Sequence, residues 1–230
     1  MRLSIIIPAL NEAANIAATL SPLQAMRARG VEVVLVDGGS TDDTCGVAKP
    51  LVDRVLTSER GRAKQMNAGA AVASGDALLF LHADSLLPAD GDEWTRKALA
   101  DPHWPWGRFD VAISGTHFML PVIAWFMNHR SRMTGIATGD QGIFVTRALF
   151  KEVGGFPDQP LMEDIAFSAR LKRTGPPGCL RAAITTSGRR WEKHGVWRTI
   201  LLMWRLRFSY YCGASPESIH RAYYKEHKQQ

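Results

Sequence analysis

Three cysteines in 230 residues, Cys45, Cys179 and Cys212, are too few and too scattered for a disulfide framework or a zinc cluster. Their pattern suits a reducing, cytoplasmic setting. The chain also has no run of about 20 uncharged apolar residues, which argues against a membrane-spanning helix. The opening stretch, residues 1–8, is apolar but breaks at Pro8 and is too short for a secretory leader. Internal repeats and low-complexity tracts are absent. Acidic side chains are in deficit, with 22 Asp and Glu against 28 Lys and Arg, a net charge of +6. That balance favours anionic partners such as nucleotides or acidic lipid. The basic residues form no stripe interleaved with aromatics, so a nucleic-acid partner is not expected.

What the chain does have is a series of short apolar runs. Residues 3–7, 31–36, 52–56 and 77–81 are β-branched or otherwise apolar and too short for helices, so they read as buried strands. Helical composition lies between them at 13–29 and 63–73, with Asn11 as the expected cap of the first helix. The alternation predicts βαβ units and an α/β fold with a mostly parallel central sheet flanked by helices. Beyond Leu87 it fades. Helices are expected at 94–99, 147–153 and 165–173, a loop at 104–108, an exposed strand at 109–113 and a short strand at 142–145. An aromatic stretch at 118–127 runs into the basic segment Asn128-His129-Arg130-Ser131-Arg132. No polar linker divides the chain, so one domain over 1–230 is expected, with a ligand-binding half at 1–115 and a second half at 116–230 packed on the sheet's edge.

The acids fall where such a sheet binds ligands. Glu12 follows the first strand, Asp37 the second, and His82-Ala83-Asp84 the fourth, all beyond strand carboxyl ends. Like charges gathered at one sheet edge repel, which points to a crevice rather than to stability. Asp84 is placed to hold a divalent metal against a phosphate. Asp37 can accept a hydrogen bond from a base, although Asp37-Gly38 also reads as a capped turn. Arg62 and Lys64, just after Gly61, can offset diphosphate charge. Asp140 and Gln141 lie in the turn Gly139-Asp140-Gln141-Gly142, and Glu163-Asp164 at a helix start, where acids also answer the dipole.

These segments together resemble family 2 glycosyltransferases. The resemblance rests on Ser4-Ile5-Ile6-Ile7-Pro8-Ala9-Leu10-Asn11-Glu12, Val36-Asp37-Gly38-Gly39-Ser40-Thr41-Asp42, Gly75-Asp76 through His82-Ala83-Asp84, and Glu163-Asp164. It implies the GT-A fold and an inverting transfer from a UDP- or GDP-sugar to an acceptor hydroxyl, assisted by magnesium or manganese. On that resemblance Pro8, Leu10 and Glu12 line the nucleotide, and Ala83 and His82 flank it. Asp84 bridges metal and diphosphate, Asp140 and Gln141 reach sugar or acceptor, Asp164 is the general base and Glu163 supports it. His82 stands where the family carries an acid, and an imidazole tilts the expected metal slightly towards manganese. Ser187-Gly188-Arg189-Arg190-Trp191 resembles the Gln-x-x-Arg-Trp element of processive members, with Arg190 on the diphosphate and Trp191 on the acceptor. Ser187 replaces the glutamine, so one sugar per acceptor is expected.

Two other functions compete with this one. A nucleotidyltransferase of similar fold would want a glycine-rich basic first loop, against the acidic loop ending at Glu12. A non-catalytic nucleotide- or lipid-binding module would have no use for Asp37, Asp84 and Asp164 together. Finally, Trp197, Ile200, Leu201, Trp204 and Phe208 recur at helical spacing among Arg198, Arg205 and Arg207. The stripe reads as a core-packing face or as peripheral contact with an anionic membrane, at the inner face for a cytoplasmic enzyme with a lipid-like acceptor.

Overall fold

A computed structural model describes residues 1–228; residues 229 and 230, the end of the expected 1–230 domain, lie outside the described residues. In chain order the first elements are β1 (Leu3–Ala9), α1 (Ile16–Leu20), α2 (Gln24–Ala28), β2 (Glu32–Asp37), α3 (Thr44–Ala48), β3 (Arg54–Thr57), α4 (Arg62–Val72) and β4 (Ala77–Phe80). There follow β5 (Ser85–Leu86), α5 (Gly91–Leu99), β6 (Trp106–Ser114), α6 (Met119–Thr134), β7 (Phe144–Thr146) and α7 (Arg147–Glu152). The chain then forms α8 (Glu163–Leu171), β8 (Gly178–Ser187), α9 (Arg189–His194), α10 (Val196–Tyr211) and α11 (Pro216–Lys228).

The strands make one eight-stranded sheet in the order β3-β2-β1-β4-β7-β6-β8-β5. The first four are parallel to one another. Strand β7 is antiparallel to both β4 and β6, β8 runs parallel to β6, and β5 closes the edge antiparallel to β8. The sheet is therefore mixed, with its parallel part in the N-terminal half.

Strands β1, β2 and β4 are buried along their whole length because both sheet faces are covered. The period of two divides their side chains. Ile5, Ile7, Leu35 and Leu79 join one core with Ile16 and Leu20, while Ile6, Val36, Leu78 and Phe80 join the other with Met66 and Phe167. Each such aliphatic side chain contributes about 1.5–3 kcal/mol by leaving water. Helix α4 lies close on the second face because of Gly69. A Cβ there would meet Ile6 Cγ2 at 2.5 Å and Val36 Cγ2 at 2.9 Å.

Several expectations change. The helix expected over 13–29 is broken at Ser21–Leu23 into a 3-10 turn carrying Pro22, which cannot donate a helical hydrogen bond. Asn11 does not cap it. Its backbone is left-handed (φ 55°), and its Oδ1 accepts from the Thr41 N–H at 2.8 Å, tying the first loop to the loop after β2. The loop expected at 104–108 gives way to β6 from Trp106, and the strand expected to be exposed runs between β7 and β8 with Phe109 fully buried. Polar residues made it look exposed. Arg108 is buried because it pairs with Asp110, which Arg132 also holds at 2.6 Å. Strands β5 and β8 have no apolar run to mark them in the sequence. The polar run of β8 becomes a strand only through its neighbours β6 and β5.

Candidate active site

The carboxyl ends of β1 and β4 open on one cavity of about 1720 Å³. The β1 end contributes Pro8, Leu10 and Glu12, and the β4 end contributes His82, Ala83 and Asp84. Helix α4 brings Arg62 and Lys64; Asp140, Asp164, Arg190 and Trp191 come from the second half of the chain. Thus twelve of the fifteen expected site residues meet here, and Asp37, Gln141 and Glu163 do not line the cavity.

The three outliers have structural reasons. Asp37 is buried, and its carboxylate accepts from Gly39 N–H at 3.0 Å, Ser40 N–H at 2.9 Å and the Ser40 hydroxyl, so the capped turn is what it forms. Gln141 is a correction. It is fully buried, its Oε1 accepts from Thr138 N–H at 3.2 Å, and its amide faces Asn128 rather than a ligand. Glu163 turns inwards, with Oε1 2.8 Å from Arg62 Nε.

Helix α8 begins with Met162 in the left-handed region (φ 65°), a costly backbone for a non-glycine residue. That entry sends Glu163 towards Arg62 and Asp164 into the cavity. The Asp164 carboxylate is steadied by two backbone donors, Gly139 N–H at 2.8 Å and Ile165 N–H at 2.7 Å. Each oxygen keeps a further lone pair free to accept a hydrogen bond.

Around it, charges are tightly matched. Burial works against the His82 imidazolium, yet the Asp140 carboxylate 3.3 Å from Nδ1 outweighs it and raises the pKa. The same contact outweighs burial at Asp140 and lowers it to about 2. Burial lifts the Glu163 pKa despite Arg62. Burial also opposes charge on Arg62, but Glu163, Asp164 and Asp140 prevail and hold its pKa above the ordinary value. Lys64 pairs with Glu59 at 2.5 Å. Arg190 lies over the Tyr223 ring, 5.8 Å from its centroid.

Asp84 fits a cation. It lines the cavity, and among the described residues no cluster of three or more His, Cys, Asp or Glu side chains is assembled. A single carboxylate completed by diphosphate oxygens and water is how magnesium is commonly held. His82 is turned to Asp140, and its Nε2 lies over Gly139, where a Cβ would approach to 2.3 Å. The imidazole therefore gives no ground for preferring manganese.

The residues sequence reasoning missed are Arg130 and Arg207, which line the cavity from α6 and α10. Arg130 lies in the basic segment after the aromatic stretch, the signal that was there to be used. The core-packing reading of the α10 stripe holds for Ile200, which packs on Leu120, Ile123 and Val196, and is overturned for Trp197, Leu201, Trp204 and Phe208, which are 61–70% exposed, while Leu202 and Leu206 pack inwards. Phe118, Trp125 and Phe126 are exposed as well.

Residues 4–151 match the family model described as Glycosyl transferase family 2. The chain belongs to that family. Over 95 residues it is 43% identical to a PGL/p-HBAD biosynthesis glycosyltransferase of Mycobacterium bovis, covering 38% of this chain and 37% of the relative. An uncharacterized glycosyltransferase of the same species is 29% identical over 146 residues, 56% of this chain and 61% of the relative. The chain thus spans less than two thirds of the length of these relatives. A mannosyltransferase from Pyrobaculum calidifontis, solved with GDP-Man and Mn2+, superposes with a TM-score of 0.67 at 24% identity, over 90% of this chain and 61% of that one. Glucosyl-3-phosphoglycerate synthase from Mycobacterium tuberculosis, solved with Mn2+, UDP and glucosyl-3-phosphoglycerate, gives 0.61 at 19%, over 79% and 65%. The family member has the GT-A fold.

Proposed function

We propose that this family 2 member transfers one sugar from a nucleoside-diphosphate sugar, UDP- or GDP-linked, to an acceptor hydroxyl with inversion. The observation that carries the reading is Asp164: a carboxylate held by two backbone donors in the cavity that also holds Asp84. The nucleotide lies against Pro8, Leu10 and Glu12, within the half formed by residues 1–115, while residues 116–230 serve the acceptor. Asp37 shapes the base end by fixing the turn after β2. The diphosphate faces Asp84 and Arg190, with Lys64 free to exchange Glu59 for phosphate. A divalent cation held by Asp84 would supply positive charge against the departing diphosphate.

Asp164 takes the proton from the acceptor hydroxyl as its oxygen attacks the anomeric carbon. The carbon–oxygen bond to the phosphate breaks on the opposite side, and the diphosphate leaves with the bonding pair. Asp140, braced by His82, and Trp191 border the sugar and acceptor. Glu163 acts through Arg62 as a positioning residue. Among the described residues no helix is long and apolar enough to cross a membrane. The exposed aromatics of α6 and α10 instead support peripheral contact with an anionic membrane.

Asp164→Asn tests the base. Transfer is expected to fall by about 10²–10⁴-fold while nucleotide binding persists. Undiminished transfer, with donor hydrolysis excluded, sinks the assignment.

A further inference from the structure

Arg130 is out of place as a structural residue. Its Nε and Nη2 are buried and have no hydrogen-bond partner. No ion pair involves it among the described residues, and Asp164 is the carboxylate whose charge acts on it. Arg207 is the cation acting most strongly on it and lines the same cavity from α10, so two guanidinium groups from different helices face one space. A buried, unpaired charge costs several kcal/mol, and a second like charge adds to it. Folding alone gives no return on that arrangement. An anionic ligand does, because each guanidinium can give two parallel hydrogen bonds to a phosphate or carboxylate.

The ligand is not the donor. The charges acting on Arg130 are Arg207, Tyr211, Asp164 and Arg108. Those acting on Asp140 are His82, Arg190 and Arg62. Arg130 and Arg207 belong to α6 and α10, in the half that serves the acceptor, and line the cavity that also holds Asp164. From there the cavity wall continues in Val122, Phe126, Trp197 and Trp204, apolar side chains of α6 and α10.

We infer that Arg130 and Arg207 form an anion subsite for the acceptor, and that the acceptor is an amphiphile carrying a phosphate or carboxylate near its reactive hydroxyl. This rests on the transferase reading above and names its acceptor class. The anion seats the hydroxyl at Asp164, and the apolar portion runs along the α6–α10 wall. Burial and Arg207 together push the Arg130 pKa down to about 10, so it stays charged at neutral pH.

Titration of the full chain with octyl phosphate below its micelle threshold, followed by calorimetry, tests this, with inorganic phosphate and 1-octanol as comparators. Octyl phosphate is expected to bind the wild type more tightly than either. Arg130→Met and Arg207→Met are expected to weaken it about tenfold or more, the loss of a charge-assisted contact. Affinity for UDP or GDP is expected to stay put, and the Tm of Arg130→Met to hold or rise, because an unpaired buried charge has gone. Undiminished octyl phosphate binding by Arg130→Met overturns the subsite, and so does a fall in nucleotide affinity matching the fall in octyl phosphate affinity. Equal affinity for inorganic phosphate overturns the amphiphile. Failure of every nucleotide to bind, with the arginine-dependent binding intact, would instead overturn the transferase reading and leave the subsite standing.

Discussion

Arg62 Nε lies 2.8 Å from Glu163 Oε1, joining the first turn of α4 to the first turn of α8. Glu163 is buried, and its other oxygen has no partner, so Arg62 is what holds this carboxylate. The next residue is Asp164. The pair thus ties the position of the proposed base to the helix beside the donor site.

Removing Arg62 leaves Glu163 buried and uncompensated. Because Arg62 is itself 41% exposed to the cavity, the cost is expected below the range for a fully buried pair, at about 1–3 kcal/mol. Thermal melts of Arg62→Ala, Glu163→Ala and the double variant give the coupling directly. Additive losses would show that the two residues do not act together.

Nucleotide binding is expected to tighten when magnesium or manganese is added to the wild type, and Asp84→Ala to lose that response. The contrast depends on a cation whose charge is worth several kcal/mol against a departing diphosphate. Fluorescence titration with UDP and GDP measures it. A metal response that survives in Asp84→Ala removes the residue from the metal role.

Acid sensitivity has an identifiable source in Glu32. Burial opposes its charge, but Ser4 Oγ at 2.5 Å, Ser74 N–H at 2.6 Å and Arg54 outweigh burial and hold its pKa below the ordinary 4.5. The folded pKa is lower than the unfolded one. The stabilisation is therefore complete above about pH 4.5 and lost as pH falls through the folded value. Glu32→Gln is expected to lose about 1–3 kcal/mol at most at pH 7 and to approach the wild type as pH falls through the lowered folded pKa of Glu32. A pH-independent gap would mean that packing, not charge, is at stake.

Trp204→Ser with Phe208→Ser removes two of the most exposed aromatics of α10. Flotation with vesicles containing anionic lipid is expected to retain the wild type and release the double variant, with the Tm unchanged because neither side chain packs inwards. Wild-type protein that never floats at low salt ends the membrane proposal.

Much of the site was legible in the sequence for a simple reason. A short apolar run that stops at an acid reports both a buried strand and what stands at its carboxyl end, and β1, β2 and β4 obey that rule. Their order also carried the family. Tertiary structure decided what pattern cannot encode, namely which partner each side chain meets. Asp37 is held in its turn by the Gly39 and Ser40 backbone donors, and Gln141 is buried against Thr138 and Asn128. Strand β8 exists because β6 offers it a ladder, and Arg108 is buried because Asp110 pairs with it. The clearest case is α10, where one helical stripe is equally suited to a core and to a surface. Leu202 and Leu206 are buried against other side chains; Trp204 and Phe208 are left mostly exposed. Periodicity sets the angle between those faces, and only the packing of the whole chain determines which one is covered.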